Sequence, residues 1–209
     1  ERDVLIALFD AEEPPYYLTP VMGSIRFYER QATGPVHAAL ILDLVGHEVP
    51  IPGLEDVTFV TGMESDPGLE EVMREAVIRG LPPSDGVRWV TALNRYVGDV
   101  SDHHVFRRER VPYLFLSCGR WEHYHRASDT PERLAYGKMS AIADGLERMT
   151  RSVAERPLHG PWEGYDTAPT DLATMRAALG DLADRMDLPL DDRGDIERMA
   201  GLLMHRMGL

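Results

Sequence analysis

Two adjacent glutamates, Glu12 and Glu13, follow a six-residue apolar run, Val4 to Phe9, in the stretch Val-Leu-Ile-Ala-Leu-Phe-Asp-Ala-Glu-Glu. Neighbouring carboxylates repel, so at least one of the pair needs a cation or a proton to be stable away from bulk water. A metal meets that need at one glutamate and leaves the other free to act as a base; a solvated acidic loop is the plain alternative. Asp43 raises the same question, because it interrupts a second apolar run, residues 36 to 45. A carboxylate in such a run is costly to bury unpaired, and a backbone amide, an arginine or a metal would each relieve it. Asp102-His103 and the His123/His125 pair complete the set of residues able to do chemistry. Carboxylates mixed with imidazoles suit zinc in a hydrolytic site better than a thiolate structural site. The lone cysteine, Cys118, follows an apolar run and reads as a small buried hydrophobe.

The elements that must position these residues alternate in type. Residues 4–9 read as a strand buried on both faces, which would put Glu12 and Glu13 at its carboxyl end, where open α/β sheets hold ligands. Prolines make residues 14–20 a loop, and Ser24 caps a helix over 25–31. Further strands are expected at 36–45, 57–62, 89–93 and 111–117. A helix at 67–80 ends at Gly80, and a polar turn or short helix begins at Ser101. Ala135, Met139, Ile142, Leu146, Met149 and Val153 recur at helical spacing, predicting a long helix over about 131–155. A Pro/Gly-rich link, 157–169, precedes two helices at about 170–187 and 192–207. The expectation is a three-layer α/β sandwich on a mixed, mostly parallel sheet. It is expected to comprise an α/β domain over 1–156, with 157–209 packed on it as linker and extra helices.

The totals exclude several classes. A net charge of −13 and the lack of any basic run argue against a nucleic-acid binder. No apolar stretch approaches the ~20 residues of a membrane span. The chain opens on Glu1 and enters an apolar run almost at once, which suggests that the natural amino-terminus and any targeting signal are not in it. Localisation is therefore hidden. The methionines of the final helices, Met186, Met199, Met204 and Met207, are compatible with a homodimer.

Taken in order, the motifs form a pattern. Phe-Asp-Ala-Glu-Glu is followed by Met22-Gly23-Ser24, then Leu42-Asp43-Leu44-Val45-Gly46. Ser101-Asp102-His103 comes next, and Tyr124-His125-Arg126-Ala127-Ser128-Asp129-Thr130-Pro131 closes the series. Over about residues 3–145 this resembles the co-catalytic, dinuclear zinc aminopeptidase family, which also includes glutamate carboxypeptidases and has glutaminyl cyclases as relatives. The resemblance implies a zinc exopeptidase, most simply an aminopeptidase, acting on peptide or aminoacyl substrates. It makes Glu12 the general base, Glu13 and His125 ligands of one zinc, and Asp43 a ligand of the other. It makes Asp102 an orienting residue near the pocket, although a helix cap reads as well. Asp129 would brace the loop that presents His125, and Tyr96 is a candidate donor to the developing oxyanion.

The departures from the pattern carry their own expectations. The family's earlier histidine-x-aspartate motif and its glycine-rich turn, with an aspartate bridging two zincs, have no counterpart here. One metal is left with Glu13 and His125, the other with Asp43 alone, whereas a catalytic zinc normally keeps three protein ligands. The chain by itself is thus expected to bind zinc weakly and to have little activity, and it looks like the carboxyl-terminal two-thirds of such an enzyme. The loop Pro14 to Met22 is longer than the family's usual connection. Two other readings stay open: a non-catalytic binding relative of the same fold, and a glutaminyl cyclase, for which Trp121 near the late histidine is the hint.

Overall fold

The computed structural model describes residues 2–30, 34–76 and 86–206. Their strands are β1 (Ala39–Leu42), β2 (Val57–Thr61), β3 (Arg88–Thr91) and β4 (Tyr113–Ser117). They form one sheet in the order β1-β4-β2-β3, with β1/β4 and β2/β3 parallel and β2/β4 antiparallel. The helices are α1 (Gly23–Arg30), α2 (Pro67–Ala76), α3 (His103–Arg108), α4 (Tyr136–Glu155), α5 (Ala168–Arg185) and α6 (Arg193–Arg206). This is the expected mixed, mostly parallel α/β sandwich.

Side-chain alternation along the strands builds the layers. On β4, Leu114 and Leu116 enter the larger core with Val60, Met73, Ile142 and Met149, from β2, α2 and α4. Tyr113 and Phe115 enter a second core with Met22, just before α1, Ile25 of α1, and Val105 and Phe106 of α3. Helix α5 runs beside β3: the Thr91 N–H donates to Thr174 Oγ1 at 3.1 Å, and Arg88 Nη1 donates to the Ala178 carbonyl at 2.6 Å. Met175 and Leu179 of α5 and Met199 of α6 are buried in the larger core. Cys118 is wholly buried, as a small hydrophobe would be. No helix among the described residues is long and apolar enough to cross a membrane.

Three expectations are corrected. Residues 4–9 are extended but belong to no strand of the sheet, and Val4, Leu5, Ile6 and Leu8 are 64%, 57%, 86% and 96% exposed. A run with this pattern is buried only when strands lie beside it and layers cover it, and none of the described strands does so. The strand expected at 36–45 is ordered as sheet only over Ala39–Leu42, because Leu44, at φ 54°, turns the chain out of the ladder. The helix expected from 131 begins at Tyr136: Pro131–Arg133 makes a separate 3-10 turn, after which Leu134 is extended. Its buried face is Lys138, Ala141, Ile142, Gly145, Met149 and Val153, so the predicted stripe is rotated toward Lys138. Lys138 is tolerated there because Nζ donates to the His47, Glu55 and Val57 carbonyls. The helix expected at 67–80 runs to Ala76; its expected end at Gly80 lies outside the described residues, as do Gln31 and Met207.

Candidate active site

The turn that carries the glutamate pair is held against the start of α1. The Gly23 N–H donates to the Asp10 carbonyl at 2.9 Å, and a Cβ on Gly23 would lie 2.6 Å from that same oxygen. Glycine alone permits this approach. Ala11 takes φ 54° to present Glu12, and the Glu13 carbonyl accepts from the Tyr16 and Tyr17 N–H groups, starting the proline-rich loop. Asp43 follows β1, its N–H donating to the Leu116 carbonyl at 3.1 Å, and Leu44 then turns away at φ 54°. His125 sits in a loop closed by Tyr124 N–H to Trp121 O and Asp129 N–H to Arg126 O, and it too is left-handed, at φ 56°. Non-glycine residues in this region cost about 1–3 kcal/mol each and gather where surrounding structure imposes them, often at functional sites. Here three such residues are, or adjoin, Glu12, Asp43 and His125.

These elements bring the predicted residues together. His125 Nε2 lies 2.6 Å from Glu13 Oε1, with both side chains about half exposed. The Tyr124 and His125 rings stack with centroids 3.8 Å apart, and the Arg120 guanidinium stands 4.9 Å over the Tyr124 ring. Partial burial, then the negative charges of Asp43, Glu13 and Asp102, push the Glu12 carboxyl up to about 7. Burial also raises Asp43, against hydrogen bonds from the Ser101 hydroxyl and the Leu44 N–H. Asp102 is raised by burial, and by the charge of Asp43; a nearby Ser24 hydroxyl favours its charged form, at a geometry that leaves Ser24 Oγ and Asp102 Oδ1 unpaired. Asp102 adjoins α3 but makes no side-chain cap.

Other predicted residues take different positions. Tyr96 accepts from Arg95 Nη2 at 3.4 Å and lines an apolar cavity that also touches Asp43 and Tyr124. The Asp129 side chain is exposed, and its charge is felt at His47. His123 has partners of its own, Nδ1 lying 2.9 Å from Ser128 Oγ and Nε2 3.4 Å from Glu122 Oε1. His103 is a core residue, wholly buried and stacked on Phe115, with Nε2 2.9 Å from the Gly98 carbonyl. Trp121 stacks on His47, centroids 4.8 Å apart, and meets His123 edge-on, so its ring braces the loop.

Sequence reasoning missed Ser101, Tyr17 and Tyr124. Ser101 stood in the quoted motif beside Asp102, which was the available signal. Tyr17 donates to the Asp99 carbonyl and feels the charge of Glu12, a proximity that no spacing in the proline-rich loop reveals. A larger cavity, about 460 Å³, lies between residues 51–53 and α5/α6 and touches none of the site carboxylates. The 80 Å³ cavity beside Asp43 is smaller but adjoins the chemistry.

The donor types suit a hard-to-borderline cation, but the arrangement does not close around one. Among the described residues no three carboxylate, imidazole or thiolate groups stand at metal-holding spacing. Glu13 and His125 engage each other, and Asp43 is held by Ser101.

A family model described as Peptidase family M28 matches residues 1–150. The curated protein named Uncharacterized protein YfbL, from Escherichia coli (strain K12), is 25% identical over 162 residues, 68% of this chain and 49% of that one. The crystal structure of the Legionella pneumophila LapA aminopeptidase aligns at 16% identity with a TM-score of 0.47, over 65% of this chain and 36% of that one. The chain thus spans about half the length of the curated relative it matches.

Proposed function

The chain belongs to Peptidase family M28, and from that premise we propose that these residues are part of a zinc-dependent exopeptidase, an aminopeptidase, with Glu12 as its general base. The observation that carries the reading is the convergence of Glu12, Glu13, Asp43 and His125 from three separate turns. In the metal-free chain the Glu12 carboxyl is raised to about 7; zinc held at Glu13 and Asp43 would lower it, leaving Glu12 as the carboxylate that takes a proton from an attacking water and returns it to the leaving amine. Burial first, and then the charges of Asp43, Glu13 and Asp102, raise Glu12 in the metal-free chain, and the Ser101 hydroxyl donates to Asp43.

Because the donors do not close around a metal, no chemical step is assigned to zinc on this chain. Glu13, His125 and Asp43 are proposed as part of a two-zinc ligand set whose other members lie outside these 209 residues. The test is zinc stoichiometry by elemental analysis after dialysis, on this chain beside a longer natural chain containing it, together with hydrolysis of aminoacyl amides. Two zincs and turnover on the longer chain, with about none on this one, are expected. No zinc and no turnover on either would reject the enzyme reading. That result would favour a binding relative of the same fold, the reading supported by the absence of a three-donor cluster among the described residues.

A further inference from the structure

The cavity that opens beside Asp43 has walls of two origins. Phe59 of β2, Val90 of β3 and Phe115 of β4 supply its floor, all on the sheet face away from α2 and α4. The facing wall is made by Met175 of α5 and by Ala200, Leu203 and Met204 of α6. These four residues lie beyond residue 150, where the match to the family model ends. Ala200, Leu203 and Met204 recur at the spacing of one helical face, and that face looks into the cavity. Asp43, Thr61, Tyr96, Ser117, Arg120 and Tyr124 add polar groups to a lining that is otherwise apolar.

We propose that α5 and α6 are a specificity element, forming the wall of a pocket that takes the aliphatic side chain of the residue whose bond is cleaved. The inference rests on the peptidase reading above. A pocket lined by carbon and continuous with Asp43 stabilises an apolar side chain held next to the reacting bond. Its volume, about 80 Å³, is about half that of the ~150 Å³ cavity known to hold benzene, so leucine, methionine or valine side chains fit better than phenylalanine or tryptophan. Met204 is half-buried at the carboxyl end of α6, and a flexible methionine there can adjust to the side chain that enters.

The test has a binding arm and a turnover arm. With carbon-13 methyl-labelled methionine in this chain, L-leucinamide should shift the Met175 and Met204 methyl signals, and glycinamide should not. In the longer natural chain, Met204→Trp should cut kcat/KM for leucyl relative to alanyl substrates about tenfold or more. Met204→Ala should move preference toward phenylalanyl substrates, and Gly201→Leu, on the exposed side of α6, should leave the ratio alone. Turnover with an unchanged ratio in both Met204 variants and no methyl shift would overturn the pocket while the peptidase reading stands. Methyl shifts without turnover by any chain would keep the apolar pocket and discard the peptidase reading.

Discussion

At the scale of single residues, Glu12 and His125 make separable predictions. In the longer chain, Glu12→Gln removes the base but keeps an oxygen in place, so turnover should fall about 10²- to 10⁴-fold with zinc content unchanged. His125→Ala should instead reduce zinc content, and unaltered metal would remove it from the ligand set. His103 tests the opposite assignment, a histidine with a structural role. Burial drives its pKa down to about 4, so it stays neutral in the folded protein while the unfolded chain takes up a proton near pH 6.5. The stability it contributes is therefore complete above about pH 6.5 and is lost progressively as pH falls toward 4, on the order of 3 kcal/mol in all. Its ring signals should show no titration above pH 5 in a proton NMR series; a midpoint near 6.5 would contradict its place between Phe115 and Gly98.

At the scale of elements, the approach of α4 to β3 depends on one missing side chain. A Cβ at Gly145 would sit 2.4 Å from Cζ2 of Trp89, whose ring is buried. Gly145→Ala gains about 1 kcal/mol of helix propensity but overpacks this contact, which typically costs about 1–3 kcal/mol. Net destabilisation in urea unfolding is expected; a more stable variant would mean that α4 and β3 are further apart. The periodicity of α4 was legible in the sequence, but its apolar residues pointed to Ala135, Met139 and Leu146. Lys138 and Gly145 were left off the buried face because their fit depends on partners far away in the chain: three carbonyls for the lysine, one indole ring for the glycine.

At the scale of the whole molecule, the exposed run of residues 4–8 is the feature most at odds with its composition. Ile6 and Leu8 are 86% and 96% exposed, so Ile6→Ser with Leu8→Ser should change the stability of this chain by less than about 1 kcal/mol, against the 2–5 kcal/mol typical of a core truncation. The same double variant should reduce self-association on sizing, since unpaired apolar strands template pairing; a large loss of stability would show the run to be buried. The sequence by itself determined the family and the alternation of strands and helices, and it singled out Glu12, Glu13, Asp43 and His125 as candidates, because local chemistry and motif order are properties of the chain. Tertiary structure decided that Glu13 and His125 touch across 112 positions, that His103 belongs to the core, and that α6 walls a cavity beside Asp43. Those outcomes are set by which surfaces meet when the layers pack, a long-range condition that no local spacing encodes.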